Sequence, residues 1–180
     1  MTALDVEQGD PTAGADGITY VHGNACKPWG DAPAIIAHVC NDQGGWGRGF
    51  VLAISGRWPE PKLQYRSWAN EQWPENLPLG EIQMVPVQQA PQRPLWVANM
   101  IAQAGYVGRG RSIALRYDAL EWALKRLADR ALDLGAQVHM PRIGCGLAGG
   151  TWDQVQPLIQ RLLVQAGVSC TVYDLSTTPS

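Results

Sequence analysis

The chain has 180 residues, of which 46% are hydrophobic and 17% are charged, an ordinary composition for one soluble globular domain. Its formal net charge of -2 and the lack of a lysine and arginine cluster argue against a protein that mainly binds nucleic acid, because such binding needs concentrated positive charge. No stretch approaches the ~20 apolar residues that cross a bilayer, and the polar, acidic N-terminus is unlike a signal peptide. We therefore expect a cytoplasmic protein that has no membrane partner.

The chain divides into a short tail and one domain. Residues 1–16 are rich in Gly, Asp, Ala and Thr, which predicts a flexible tail before a domain over residues 17–176. Apolar patterns in the domain then alternate between strand and helix. They predict, in order, strands at 18–22 and 34–40, helices at 49–58 and 61–68, strands at 81–87 and 95–101, a long helix to 134, a strand at 138–141, a helix at 152–166 and a strand at 170–174.

The two C-terminal helices carry end signals. The long helix has apolar residues at helical spacing and a stop signal in Gly135. Thr151 and Gln154 have the spacing of a capping box for the last helix, although Pro157 should distort its first turns. Strands that alternate with helices across short turns predict an α/β sandwich with a mixed sheet. Ligands of such sheets bind where loops leave the carboxyl ends of the strands.

A glycine-dense loop lies between the strand that ends near Met140 and the last helix. The segment MPRIGCGLAGGTW spans residues 140–152. Backbone N–H groups of such a loop can bind a phosphate, and glycines let the chain approach it closely. The segment matches neither the P-loop nor the dinucleotide fingerprint, and a glycine-rich turn taken alone can be a tight connection only.

A second loop of this kind follows the strand at 34–40. It begins with Asn41 and Asp42 and continues as QGGWGRG to Gly49, where a helix is predicted. Two such loops could lie on opposite sides of one diphosphate. Asn41 and Asp42 would then lie beside the ligand and could bond sugar hydroxyls or position a water.

Cysteine and histidine spacing suggests no metal site or disulfide framework. The four cysteines lack CxxC spacing, so we expect reduced thiols and no metal or other cofactor. Cys145 could be a nucleophile, but only Arg142 lies near it in sequence, and a small residue that fits the loop is the simpler interpretation. His38 and His139 lie within predicted strands and are interpreted as core residues.

Four segments together resemble the macrodomain family. They are YVHGNA from Tyr20, AHVCNDQGGWGRG from Ala37, MPRIGCGLAGGTW from Met140 and TVYDL from Thr171. The resemblance covers nearly the whole chain. Within the family, the segments more narrowly resemble the ALC-like branch, which includes the terminal ADP-ribose protein glycohydrolase and the yeast ADP-ribose 1″-phosphate phosphatase. It implies a three-layer α/β/α fold with a mixed central sheet, and a monomer that binds ADP-ribose or an ADP-ribosylated protein, with nucleic acid a partner only if ADP-ribosylated.

The resemblance also implies where ADP-ribose would bind. Asn24 and Ala25 occupy the adenine position, where the family usually has Asp, so the bond to the adenine amino group should be weaker here. Tyr173 would pack near the adenine, or else be a core aromatic residue. The two glycine loops would contact the diphosphate and the distal ribose. Their expected ligand-binding residues are Gly45, Trp46, Gly47, Arg48, Gly49, Ile143, Gly144, Cys145, Gly146, Leu147, Ala148 and Gly149.

Individual loop side chains allow alternative roles. Trp46 would shield the distal ribose from water, or serve as a packing residue. Arg48 would meet a phosphate, which its planar guanidinium matches well, or only cap the loop.

The chain departs from the glycohydrolase branch at its catalytic positions. That branch uses a Lys, which attacks the distal ribose, and an Asp after the Gly-Cys-Gly-Leu turn. Here the Asp position is Ala148, and the chain has Ala102, Gln103 and Ala104 where the Lys belongs. A covalent lysyl intermediate is therefore not expected. Hydrolysis of ADP-ribosyl esters of acidic side chains would need direct attack by a water.

Three residues are the candidates for positioning that water: Asn41, Asp42 and Gln103. Asp42 is the preferred base because it is the only carboxylate of the first loop, although it could be a solvated loop residue. Gln103 could equally be an ordinary strand-end residue. Two alternatives to the ester hydrolase stay open, an ADP-ribose 1″-phosphate phosphatase and an ADP-ribose reader without turnover.

Overall fold

The computed structural model describes residues 7–106 and 113–175. The described residues form a seven-stranded sheet and four α-helices. The strands are β1 (Thr12–Ala13), β2 (Thr19–His22), β3 (Ala34–Asn41), β4 (Ile82–Gln88), β5 (Leu95–Gln103), β6 (Gln137–Pro141) and β7 (Cys170–Asp174). The helices are α1 (Phe50–Ser55), α2 (Glu60–Gln72), α3 (Tyr117–Leu134) and α4 (Trp152–Ile159).

The sheet is mixed, as predicted. Its strand order is β1-β2-β7-β6-β3-β5-β4, with parallel pairing from β2 through β5 and antiparallel pairing at both edges. The five parallel strands therefore end at one edge of the sheet. The loops after β3 and β6 leave this edge side by side, because those two strands are neighbours.

Helices cover both faces of the sheet and make three layers. α3 and α4 pack on one face through a large apolar cluster that includes Leu120, Leu124 and Val155. α1 and α2 pack on the other face through a smaller cluster that includes Ile54 and Tyr65. β3 is almost continuously buried, as expected of a central parallel strand that is covered on both sides. The α/β/α class with a mixed sheet is confirmed.

The helix end signals have different outcomes. α3 ends at Gly135, which adopts the left-handed conformation (φ 58°), and its N–H donates to the carbonyls of Ala131 and Leu132. The predicted stop is therefore confirmed. The capping box is wrong, because Thr151 occupies the N-cap of α4 without a side-chain capping bond. The last α-helix is also shorter than predicted. It contains Pro157 and ends at Ile159, and a π-helical turn follows it over Gln160–Val164.

The sheet extends into the segment for which composition predicts a flexible tail. Thr12 and Ala13 of β1 pair with β2, and Asp16 accepts bonds from the Ile18 N–H (2.9 Å) and the Tyr20 hydroxyl (2.8 Å). These contacts hold the end of the segment on the domain. Residues 1–6 of the predicted tail lie outside the described residues. None of the described helices has the length and apolar character needed to cross a membrane.

Candidate functional site

A cavity of about 970 Å³ opens at the carboxyl edge of the parallel strands. Both glycine loops contribute to its wall, which agrees with their predicted convergence. The lining also includes the ends of β3 and β5, Arg66 of α2 and the start of α1. From the first loop, Gly45, Trp46, Gly47, Arg48 and Gly49 line the cavity, and from the second loop Ile143, Gly144, Gly146, Leu147 and Ala148.

The Asn41 side chain organises the first loop. Its Oδ1 accepts bonds from the N–H groups of Gln43 (2.9 Å) and Gly45 (3.1 Å), and its Nδ2 donates to the Gly45 carbonyl (3.1 Å). The buried Tyr65 hydroxyl of α2 donates to the Asn41 carbonyl oxygen at 2.5 Å. Asn41 lines the cavity, but these bonds show that much of its side chain shapes the loop.

Trp46 forms part of the cavity floor. The residue is only 4% exposed, and its indole packs edge-on against the ring of His38 (centroids 5.3 Å apart) and donates from Nε1 to Ser55 Oγ at 3.3 Å. Of its two predicted roles, these contacts favour the packing residue over a shield exposed in the loop.

His38 lies beside Trp46 and is confirmed as a core residue. Its Nε2 is 2.5 Å from Asn99 Oδ1. Asn99 Nδ2 donates to the Pro61 carbonyl and to Gln83 Oε1, so Asn99 Oδ1 is the acceptor and His38 Nε2 carries the proton. Burial lowers the pKa of His38 to about 4 and raises the pKa of the neighbouring Cys40 thiol. Both groups are therefore uncharged at neutral pH, although they line the cavity.

The second loop is tightly folded and leaves open space on one side of Gly146. Gly150 N–H donates to the Gly144 carbonyl (2.8 Å), and the Ala148 carbonyl accepts from the N–H groups of Ala114 and Leu115. A Cβ on Gly144, where φ is +71°, would lie 2.7 Å from Leu115 Cδ2. A Cβ on Gly146 would meet no atom within 4 Å. Gly146 therefore presents bare backbone to the cavity.

The two loops meet at the cavity mouth. Leu147, at the tip of the second loop, is 58% exposed, and its Cδ1 lies 3.3 Å from the position that a Cβ on Gly49 would take. Gly49 has φ +79°, a conformation that favours glycine. Close approach of the loops thus depends on glycine at residue 49. The arrangement suits a ligand that passes between the two loops.

The three predicted catalytic residues have different positions. Gln103 lines the cavity beside Asn41, its register partner on β3, and donates from Nε2 to the Gly105 carbonyl (2.9 Å). Asp42 is buried and is not among the described lining residues. Its Oδ1 accepts from the Gly105 N–H (2.8 Å), and its Oδ2 accepts from Asn76 Nδ2 (3.4 Å). The Asp42 carboxylate thus binds the turn after β5 and does not form the cavity wall.

Cys145 and Gly149 belong to the second loop, but neither is among the described lining residues. Cys145 Sγ lies 3.3 Å from the Ile143 carbonyl, and burial raises the pKa of the thiol. A raised pKa disfavours the nucleophilic thiolate. These observations favour the interpretation of Cys145 as a small residue that fits the loop.

Comparison with known proteins identifies the family of this chain. No model of a protein family matches the sequence. The solved structure of a macrodomain protein from Streptomyces coelicolor is 49% identical, and the match covers 87% of this chain and 98% of that chain with a TM-score of 0.74. The chain belongs to the macrodomain family.

Curated relatives agree with this assignment. Chromodomain-helicase-DNA-binding protein 1-like from Danio rerio is 32% identical over 161 residues, which is 87% of this chain but only 15% of that protein. The macrodomain thus spans a small part of that relative. The ADP-ribose 1″-phosphate phosphatase of Saccharomyces cerevisiae is 25% identical over 179 residues, which is 88% of this chain and 98% of the relative.

The residues expected at the adenine end of the macrodomain lie beyond the described cavity wall. Asn24 Oδ1 accepts from the Cys26 N–H (2.9 Å), so this side chain shapes its own loop. The buried Tyr173 hydroxyl accepts from the Trp29 N–H (2.8 Å) and contacts His139 Nδ1 (2.8 Å). Tyr173 packs with Val21 and Ala25, as expected of a core aromatic residue. Phe50 also packs on this cluster and lines the cavity, so it gives the wall an apolar surface on that side of the macrodomain cavity.

The charge of the cavity wall is positive. Arg48, Arg66 and Arg142 line it, and no carboxylate or lysine is among the described lining residues. Arg142 pairs with Asp174, with Nε 2.5 Å from Oδ1 and Nη2 2.8 Å from Oδ2, and this pair holds the pKa of the Asp174 carboxyl below its ordinary value. Arg48 and Arg66 make no hydrogen bond or ion pair with the described residues. The macrodomain cavity therefore favours an anionic ligand.

Several lining residues were not predicted from the sequence. Phe50 and Val51 follow the first loop directly, and Arg142 follows β6, so proximity to the loops could have identified them. Tyr106 follows the predicted Gln103 by three residues, whereas Arg66 lacked such a signal. Arg66 comes from α2, and only the packing of the macrodomain brings it to the cavity.

Proposed function

We propose that this macrodomain binds ADP-ribose along the cavity at the carboxyl edge of the sheet. The observation that carries the proposal is the glycine-lined wall between two loops, with arginines and no described carboxylate. Exposed backbone N–H groups are donors that can bind a diphosphate, and the arginines make the cavity positive, which attracts an anion. The volume of about 970 Å³ also lies in the range of small-molecule sites. The name of the yeast relative supports the same ligand class.

The strand order supports one orientation of the ligand. Along the carboxyl edge, β7 is followed by β6, β3 and β5. Phe50, which packs on Tyr173 of β7, gives the wall an apolar surface on the β7 side, and this surface suits a purine base. The loops after β6 and β3 carry the exposed backbone, which suits the diphosphate. The distal ribose would then lie at the β3 and β5 end, near Asn41 and Gln103.

We further propose that the macrodomain releases ADP-ribose from esters of acidic side chains by direct attack of a water. The described cavity wall has no lysine, which supports a water rather than a lysine as the nucleophile. His38 is neutral and hydrogen-bonded, so it does not serve as a base. Gln103 is the lining side chain best placed to orient the water. Positioning without a strong base should give slow turnover.

An assay of the purified chain with two substrates tests this proposal. One substrate is a protein that carries ADP-ribose on glutamate, and the other is ADP-ribose 1″-phosphate. We expect release of ADP-ribose from the modified protein, with no ADP-ribosyl adduct on the enzyme by mass spectrometry. Release of phosphate from the second substrate alone would instead support the 1″-phosphatase. Binding with no release from either substrate would support a reader and refute the proposed hydrolysis.

A further inference from the structure

Arg66 lies at the end of the cavity assigned to the distal ribose, and two contacts of α2 hold it there. Tyr65 is fully buried and donates to the Asn41 carbonyl oxygen (2.5 Å). One turn further along the helix, Ala69 Cβ is 2.9 Å from the position that a Cβ on Gly44 would occupy. Arg66 and Ala69 are three residues apart and share a side of the helix. α2 therefore packs on the start of the first loop beside Arg66.

The Arg66 guanidinium has no protein partner among the described residues. It lines the cavity, is exposed, and neither donates a hydrogen bond nor forms an ion pair within residues 7–106 and 113–175. Arg142 differs, since Asp174 neutralises it. Arg48, on the first loop, is the second lining arginine that lacks a described partner. Arg66 lies on α2 beside the start of the first loop and belongs to neither glycine loop, so its guanidinium is placed to pair with an anionic group at this end of the ligand.

We propose that Arg66, together with Arg48, binds an anionic group attached at or beside the distal ribose. This inference rests on the proposed binding of ADP-ribose. In the proposed orientation the diphosphate lies between the two glycine loops, one strand away from the β5 end. Arg66 is then left for a phosphate on the ribose or for a carboxylate next to the modified residue of a protein. Arg66 determines specificity for that substituent and contributes little to the binding of free ADP-ribose.

Competition against fluorescently labelled ADP-ribose tests Arg66→Gln with four unlabelled ligands. They are free ADP-ribose, ADP-ribose 1″-phosphate, and two glutamate-ADP-ribosylated peptides, one with acidic flanks and one with alanine flanks. Chromatography checks that each ligand stays intact. Arg130→Gln is the charge-matched control, because Arg130 is exposed near the end of α3 on the opposite face of the sheet. Arg66→Lys, which keeps the charge, should retain part of the selectivity.

We expect Arg66→Gln to weaken the binding of ADP-ribose 1″-phosphate, of the acidic peptide or of both by about 3- to 10-fold. This is the size of one charge-assisted contact at an exposed site. Free ADP-ribose and the alanine-flanked peptide should change less than about 2-fold by the same argument. The ligand whose affinity falls identifies the source of the anionic group. Equal weakening of all four ligands, or of none, would overturn the inference. Failure of the unmutated chain to bind free ADP-ribose would instead refute the proposed function.

Discussion

Asp42 illustrates how a residue next to a binding site can act through another residue. Its carboxylate accepts the Gly105 N–H at 2.8 Å and an amide proton of Asn76, and it is not among the described residues of the cavity wall. Gly105 has φ +63° and accepts a bond from Gln103 through its carbonyl. The Asp42 contact therefore positions the turn that carries Gln103 and Tyr106. We interpret Asp42 as a positioning residue and no longer as the preferred base.

Two substitutions of Asp42 separate these roles. Asn keeps an oxygen acceptor for the Gly105 N–H and loses only the longer bond from Asn76, so Asp42→Asn should retain ADP-ribose binding and ester turnover within about 3-fold. Asp42→Ala loses both hydrogen bonds and should lower both quantities. The measurement is kcat and KM of ester release, together with the affinity for ADP-ribose. A fall in kcat by about 10² in Asp42→Asn, with unchanged affinity, would restore Asp42 as the general base.

At the scale of elements, β3 and β6 each place a neutral histidine in the interior. Burial lowers the pKa of His38 to about 4, and burial together with the nearby Arg93 lowers the pKa of His139 to about 4. In the unfolded chain these groups titrate near their ordinary value of 6.5. The unfolded state thus binds more protons between about pH 6.5 and 4. The stability that this difference contributes is fully present above pH 6.5 and is lost as the pH falls toward 4.

We therefore expect the free energy of unfolding to fall by about 2 kcal/mol per histidine between pH 7 and pH 5. Urea unfolding at pH 7, 6 and 5 measures this slope. His38→Gln should remove about half of it. A slope that is the same in His38→Gln and in the unmutated chain would show that His38 does not titrate in this way.

The elements of the sheet were largely predictable, because their signals are local. The apolar run of β3, the helical spacing in α3 and the stop at Gly135 each act within one segment. The capping box was wrong because a sequence spacing does not determine whether the Thr151 hydroxyl turns toward the backbone. The π-helical turn after α4 follows Pro157, but its register depends on packing that the sequence pattern does not express.

The site was predictable where backbone forms it and less so where side chains do. Both glycine loops were identified, since glycine spacing is visible in the sequence. The burial of Trp46 and the contribution of Arg66 depend on α2, which packs beside the first loop through Tyr65 and Ala69. Long-range packing of this kind produces no periodic pattern in the sequence. It also explains why Asp42, adjacent to Asn41 in sequence, faces a different neighbour.

For the molecule as a whole, the account depends on ADP-ribose lying between the two glycine loops. Gly146 tests this placement, because a side chain there meets no protein atom within 4 Å and would project from a residue that lines the cavity. Gly146→Glu adds both bulk and negative charge where the diphosphate would lie. Ser169→Glu is the control, since Ser169 is exposed and precedes β7 at the opposite edge of the sheet.

Calorimetric titration with ADP-ribose tests the central claim most directly. The unmutated chain and Ser169→Glu should bind one ADP-ribose, and at a ligand concentration of 100 times Kd the chain should gain about 2.7 kcal/mol of stability. Gly146→Glu should show no binding while its circular dichroism spectrum stays native. Absence of binding to the unmutated chain at millimolar ADP-ribose, or unchanged affinity in Gly146→Glu, would contradict the account.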